Sequence, residues 1–326
     1  MEQPANMTAA PQVTRELVIA AYRLFLDRQP ENEQVIQNAL KHATIEHLRR
    51  AFLYSEEFSR QLSEAIVNSR FPLDLEQESQ IEVQCEESKL RQLFARVEST
   101  WEQLGKEDPY WSVATWDGFR KERFVQNEKS FWESGKRDVT RLQVWLKRNR
   151  IVPRPEWTCL EYGCGTGRVT GWLAKQFKSV IACDISNAHL SIARSKDESR
   201  GSVQFKRIEK IEEAHYLPPA DLLFSIIVLQ HNPPPVIAHI LDGLLARIRS
   251  GGIAYFQVPT FWRGYRFDVD QYLANKGSGM EMHVLPQRHV FEIARKNQCH
   301  ALEVQADSLI GTMEGVSTTF LFQKAT

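Results

Sequence analysis

The sequence predicts an α/β protein in which a parallel sheet follows a small all-helical domain. The first 70 residues place apolar side chains at helical spacing, whereas residues 131–326 alternate short apolar runs with helical patterns. Within the second region, a glycine-rich turn joins one apolar run to a helix, as in parallel sheets that bind ligands at their edge. A chain of 326 residues is long enough for two domains, of which the second would hold the larger core.

Residues 1–70 are predicted to form the small helical domain. Thr14 is a candidate N-cap for the first helix, which Pro30 would end, and two further helical patterns and a fourth starting at Ser55 follow. Residues 71–87 contain Pro72, many acidic residues and few apolar ones. This composition is typical of a linker.

Residues 88–130 are predicted to be a helical lead-in or lid. Residues 86–104 carry one continuous apolar face, which indicates an amphipathic helix. Such a face usually packs on a core, but it is also a candidate for pairing with a second chain. A homodimer through this helix or through the helical domain therefore stays open.

The most informative stretch is Thr158–Ser186, which has the order strand, glycine turn, helix, strand and acid. Gly163, Gly165 and Gly167 leave the turn almost free of side chains, so a ligand can approach its main-chain N–H groups. Asp184, with Ile185 next to it, ends the second strand, where a carboxylate can accept both hydroxyls of a ribose. The stretch predicts a pocket for a cofactor that contains adenosine.

The charges around the turn favour a cationic cofactor. The dinucleotide fingerprint requires glycine or alanine where Arg168 stands, so the fit to it fails. Glu161, two residues before the first glycine, would repel a pyrophosphate but attract an ammonium or sulfonium group. S-adenosylmethionine carries both cationic groups and a ribose, and is the predicted cofactor.

Residues Glu161–Gly167 resemble the first motif of class I S-adenosylmethionine-dependent methyltransferases, and their spacing to Asp184 also matches. The resemblance implies a Rossmann-like sheet of seven strands, mostly parallel with an antiparallel last strand, over residues 131–326. It implies methyl transfer that leaves S-adenosylhomocysteine. It also places Ser134 and Gly135 against the methionine end of the cofactor. An acidic residue a few positions after the third strand would lie near the adenine: Glu209 stands there, with Glu212 and Glu213 as alternatives.

Two histidines are candidate general bases, because the pKa of an imidazole lies near the working pH. His231 follows the fourth predicted strand, and His283 ends the run Met280–His283, in which Glu281 would orient it. The same alternation is also typical of a strand with one buried face. No spacing of ligand residues requires a metal, and none is predicted.

The predicted acceptor is a sugar hydroxyl of a bacterial polysaccharide or glycolipid. Trp262, Arg263 and Tyr265 offer aromatic faces and a guanidinium group in a predicted long loop over residues 259–285. The pieces AYRLFLDRQP and FLYSEEF resemble a helical domain of unknown function found beside bacterial glycan-modifying enzymes. Two alternatives stay open: O- or N-methylation of a small molecule or natural product, and a non-catalytic module that binds the cofactor.

The composition limits which partners and which cellular compartment are expected for the protein. Lys and Arg total 41, as do Asp and Glu, so the chain lacks the global positive charge of a nucleic-acid-binding protein. The five cysteines are scattered, which is typical of a reducing compartment. No basic-then-apolar signal or membrane-length apolar run is present. We expect a cytoplasmic protein that acts on a small molecule or glycan.

Overall fold

The computed structural model describes residues 12–62, 80–275, 279–311 and 315–326. The chain divides into two compact units, residues 1–76 and 77–326. Of the predicted linker 71–87, residues 71–79 lie outside the described ranges. Its described part belongs to the second unit, because Ile81 forms a parallel bridge with Phe267 and is therefore not free linker.

The first unit is helical in its described part. Each of its first three helices has an N-cap residue whose side chain accepts a hydrogen bond from the backbone N–H three residues further along, as Thr14 does. Val18, Leu48 and Phe52 lie in its buried core. The helices are α1 (Arg15–Leu26), α2 (Glu33–Ala39) and α3 (Ile45–Leu53), and residues 56–62 are also helical.

The second unit opens with lead-in helices. In the first of them, Leu90, Leu93 and Phe94 are buried in the same core as the sheet. These residues of the apolar face are therefore covered within the unit, and pairing of the helix with a second chain stays a prediction. The helices are α4 (Glu87–Glu107), α5 (Pro109–Val113) and α6 (Phe124–Arg148), with a 3₁₀ turn at Asp117–Phe119.

The sheet confirms the predicted fold class. Its seven strands lie in the order β3-β2-β1-β4-β5-β7-β6, and β7 runs antiparallel to both of its neighbours while the other pairings are parallel. This order places the ends of β1 and β4 side by side in the middle of the sheet. The strands are Thr158–Tyr162, Ser179–Asp184, Val203–Arg207, Ala220–Ser225, Ile248–Trp262, Cys299–Asp307 and Gly315–Lys324.

Strand β5 is longer than its sequence predicts, and the excursion that follows it is correspondingly shorter. Beyond Pro259, which has no N–H to donate, the pairing with β7 shifts register and then continues to Trp262. The remaining helices are α7 (Thr170–Leu173), α8 (Asn187–Ser195), α9 (Pro234–Ala246), α10 (Val269–Ala274) and α11 (Gln287–Lys296). Within the described ranges, no helix has the length and hydropathy needed to span a membrane.

Candidate active site

A cavity of about 580 Å³ opens at the carboxyl ends of β1, β2 and β4. One side of it is built by the turn after β1 and by the end of β2. The other sides come from the loop after β4 and from the lead-in helices α4 to α6. Predicted residues that line it are Ser134, Glu161, Gly163, Gly165, Asp184, Ile185 and His231.

The glycine turn needs its glycines for two separate reasons. Gly163 and Gly165 have φ of +80° and +54° and face the cavity, and a Cβ on Gly163 would lie 2.3 Å from the side chain of Val228. Gly167, with φ of +85°, packs against Ala193 instead and does not line the cavity. The first two therefore keep the pocket open, whereas Gly167 allows the turn to pack closely against α8.

Asp184 is held by the backbone around the turn. The Gly165 N–H donates to its Oδ2 at 2.7 Å, and the Ser186 N–H donates to its Oδ1 at 2.9 Å. A carboxylate has about four acceptor sites, so both oxygens keep lone pairs for ribose hydroxyls. Glu102 of α4, which the sequence did not single out, accepts from the Ala188 N–H at 3.1 Å and fixes the start of α8 beside this site.

Glu161 is a carboxyl group buried in the wall of the cavity. Its side chain is only 3% exposed, and the Thr170 hydroxyl donates to it at 2.6 Å. Burial, with smaller contributions from the charges of Asp184 and Asp138, raises the pKa of Glu161 to about 7 against the Thr170 hydrogen bond and the charge of Arg168, which both lower it. A cationic ligand group would stabilise the ionised form.

Arg168 joins the turn to helix α6. Its guanidinium donates to Asp138 at 2.7 Å and to the Ser134 hydroxyl at 3.1 Å. Gly135 lies where the helix crosses the turn, and a Cβ there would be 2.1 Å from the Arg168 carbonyl oxygen. Gly135 therefore allows α6 to pack closely against the turn. It does not line the cavity, contrary to its predicted place against the cofactor.

His231 presents a neutral imidazole to the cavity. Its Nδ1 donates to the backbone carbonyl of Glu281 at 2.9 Å, which leaves Nε2 as the acceptor, 3.3 Å from the Gln230 amide nitrogen. The ring of Trp101 meets it edge-on at 5.0 Å between centroids. Burial lowers the pKa of His231 to about 4, so the ring stays uncharged at neutral pH.

His283 and Glu281 lie on the opposite side of their segment from the cavity. The Tyr265 hydroxyl bonds to His283 Nδ1 at 2.8 Å, and Glu281 accepts from the Tyr272 hydroxyl at 2.5 Å. The residues that line the cavity are their neighbours, Met280 and Met282. Glu281 Oε2 lies 3.5 Å from His283 Nε2, as the predicted pairing requires, but neither side chain lines the cavity. The alternative of a strand with one buried face is not seen, because residues 281–286 form no strand and His283, Val284 and Leu285 are buried in succession.

The other predicted contacts also lie outside the cavity lining. Arg263 is exposed, Trp262 ends β5, and Tyr265 is engaged by His283. Glu209 lies 3.5 Å from Arg207 with a side chain 63% exposed, because the chain turns away after β3. The aromatic lining instead comes from lead-in residues Trp101, Trp116 and Phe119, whose signal was the aromatic composition of that region.

The described residues contain no group of three or more His, Cys, Asp or Glu side chains placed to hold a metal ion. The donor set of the cavity matches an organic cofactor instead. Asp184 fits a ribose, the two cavity-facing glycines fit a ligand close to the backbone, and buried Glu161 fits a cationic group.

Residues 159–252 match a family model described as a methyltransferase domain, and this range contains the glycine turn, Asp184 and His231. Over 149 residues the chain is 27% identical to ubiquinone biosynthesis O-methyltransferase from Histophilus somni (strain 2336). That match covers 41% of this chain and 60% of the relative, so it spans less than two thirds of the relative's length.

A solved structure shares the fold of the second unit. It is magnesium protoporphyrin IX methyltransferase from Synechocystis PCC 6803 with bound S-adenosylhomocysteine, at 17% identity and a TM-score of 0.51. The similarity covers 71% of this chain and 100% of that one. Residues 159–252 thus match a methyltransferase domain, and the second unit has the fold of a solved methyltransferase.

Proposed function

We propose that the protein is an O-methyltransferase that methylates a hydroxyl group bound beside His231. The single observation that carries the proposal is the uncharged His231 ring, whose Nε2 is an acceptor on the cavity wall. Asp184 would hold the ribose and Glu161 the cationic end of the cofactor. The curated relative is itself an O-methyltransferase, which supports an oxygen acceptor.

His231 would remove the proton of the hydroxyl as its oxygen attacks. When bound, S-adenosylmethionine supplies a methyl group activated by a sulfonium. The Glu281 carbonyl keeps the His231 Nδ1 protonated, so the proton is received at Nε2. The single lone pair of Nε2 lies 3.3 Å from the Gln230 amide nitrogen in this structure, and the acceptor hydroxyl would take the place of that amide. An imidazole that is neutral before the reaction does not repel the nearby cation, whereas a protonated one would.

We propose a sugar as the acceptor. Asn232 and Gln230 line the cavity, with the Gln230 carboxamide bonded to His231 and Gln257, and the Trp116 ring, 54% exposed, stands at its edge. Proteins bind sugars through amide side chains and aromatic ring faces of this kind. The resemblance of the N-terminal segment to a domain found beside glycan-modifying enzymes supports this class by association only.

A phenolic small molecule is the second candidate acceptor. The side chains of Met280, Met282 and Phe119 make part of the lining apolar, which suits an aromatic ring. The ubiquinone-pathway enzyme among the relatives supports this class as well. A non-catalytic module that binds the cofactor would use the same pocket but would not turn over.

Transfer of labelled methyl from S-adenosylmethionine distinguishes these readings. The full chain is incubated with nucleotide sugars, oligosaccharides and phenols, and each product is located by mass spectrometry. Methylation of a sugar hydroxyl supports the first acceptor class, and methylation of a phenol replaces it by the second. Methylation of nitrogen would contradict the O-methyltransferase proposal, and binding without any turnover would favour the module.

A further inference from the structure

Two arginines stand one helical turn apart at the rim of the cavity. Arg137 and Arg141 of α6 line the central cavity and also line an outer groove that continues from it. The outer groove is completed by Glu133, Lys136, Thr140 and Trp172. A ligand that reaches from the cavity into the groove therefore passes beside these two arginines.

Among the described residues, these two arginines are neutralised only in part. Within the described ranges, no carboxylate lies within ion-pair distance of Arg137. Arg141 has only a 3.4 Å contact with Asp138 Oδ1, and the other oxygen of Asp138 accepts from Arg168 at 2.7 Å. The Asp138 carboxylate is thus shared between Arg141 and Arg168, whereas Arg137 has no carboxylate partner among the described residues.

This arrangement costs stability unless an anion is bound. Like charges four residues apart on a helix destabilise it. The side chain of Arg141 is 54% exposed, and Arg137 is also exposed, so both can turn towards a ligand. Guanidinium groups bind phosphate and carboxylate oxygens in pairs, with direction as well as charge.

We propose that Arg137 and Arg141 form a subsite for an anionic group, a phosphate or carboxylate, carried by the acceptor. The inference rests on the proposed function, in which the hydroxyl to be methylated lies in the cavity beside His231. The acceptor is then an elongated molecule whose negative group lies in the outer groove, such as a phosphorylated or nucleotide-linked sugar. The carboxylate of the cofactor has the same chemistry, and the experiment separates the two sources.

The test is calorimetric titration of the full chain with inorganic pyrophosphate at low ionic strength. It is run on the wild type, on R137A/R141A, on R137K/R141K and on K147A/R194A. The last variant removes two exposed cations elsewhere in the same unit. Each protein is titrated separately with S-adenosylhomocysteine, with and without pyrophosphate.

We expect the R137A/R141A variant to bind pyrophosphate about tenfold to a hundredfold more weakly, as for loss of charge-assisted hydrogen bonds. R137K/R141K should recover part of the affinity, and K147A/R194A should bind as the wild type does. In R137A/R141A the S-adenosylhomocysteine affinity should stay within about twofold, which also shows that the variant is folded.

Three results would overturn the subsite: no binding of pyrophosphate to the wild type, equal loss in K147A/R194A, or a matching loss of S-adenosylhomocysteine affinity in R137A/R141A. The third would assign the arginines to the cofactor carboxylate. If the wild type does not bind S-adenosylhomocysteine, that result contradicts the proposed function and not the subsite. The two outcomes can be told apart because pyrophosphate is also titrated into protein that contains no S-adenosylhomocysteine.

Discussion

Replacing Glu161 by glutamine should remove a pH-dependent penalty from the folded second unit. The carboxyl group is 3% exposed, its hydrogen-bond donor is the Thr170 hydroxyl, and burial raises its pKa from 4.5 to about 7. Glutamine has nearly the same shape and keeps an oxygen for Thr170, but it does not ionise. The variant therefore removes the charge and leaves the packing.

The size of the effect follows from the two pKa values. Between pH 4.5 and about 7 the folded state holds a proton that the unfolded state releases, so the free energy of unfolding falls as pH rises. The full stability is present below about pH 4.5 and is lost as pH passes through about 7. At 1.36 kcal/mol for each unit of pKa, the loss is about 3 kcal/mol.

Urea denaturation between pH 4.5 and 8 measures the prediction. All eight tryptophans lie in residues 77–326, so their fluorescence reports the second unit alone. Between pH 4.5 and 8, the free energy of unfolding of the wild type should fall by about 3 kcal/mol relative to that of E161Q. Glu133→Gln is the control: the Glu133 side chain is 59% exposed on α6, and because this variant keeps Glu161 its stability should follow the pH curve of the wild type. Parallel stability curves for wild type and E161Q would refute the reasoning.

Four further outcomes are expected. S-adenosylmethionine affinity, by calorimetry, should rise between about pH 5 and 8 in the wild type but not in E161Q, since the ionised carboxylate stabilises the cationic ligand. Asp184→Ala should weaken S-adenosylhomocysteine binding by about tenfold to a hundredfold through lost ribose hydrogen bonds, and unchanged affinity would remove that role. His231→Gln should lower kcat by about a hundredfold or more in the methyl-transfer assay while His283→Gln does not, and the reverse order would restore His283 as base. Gln257→Leu should lower kcat about tenfold or more without changing cofactor affinity, because the Gln257 amide donates at 3.1 Å to Gln230, which lies next to His231. Equal losses of kcat and of cofactor affinity would indicate general unfolding instead.

The cofactor end of the site was predictable because its determinants are local in sequence. Gly163, Gly165 and Asp184 lie within 22 consecutive residues, on one strand–turn–helix–strand unit whose geometry the glycines impose. Glu161 belongs to the same unit, and its position before the turn identified the charge of the ligand. A prediction that needs only one supersecondary unit requires no knowledge of how distant elements pack.

Glu209 shows where this locality ends. The prediction placed it by counting residues beyond β3, but the direction of a side chain after a strand depends on how the chain leaves the sheet. Here Ile208 is buried, and its N–H donates to the Asp184 carbonyl at 2.9 Å. The next residue, Glu209, therefore points outward and contacts Arg207.

The histidines illustrate the same limit more sharply. Period-two alternation in residues 280–283 separates Met280 and Met282 from Glu281 and His283, but it does not say which pair faces the pocket. That choice depends on backbone contacts with a segment some fifty residues away, where the His283 N–H donates to the Gln230 carbonyl at 2.7 Å. His231 in turn holds the Glu281 carbonyl, so the two histidines are linked by the backbone while only His231 faces the cavity.

The acceptor end of the site is assembled from elements that are far apart in sequence. Trp101 belongs to α4, and its helical spacing indicates only an apolar face, which by itself predicts core packing. Its edge-on contact with His231 exists because α4 packs across the sheet at the end of β4. Substitutions on α4 and α6 should therefore change acceptor choice more than cofactor affinity, since these helices form the walls that the local cofactor motif does not provide.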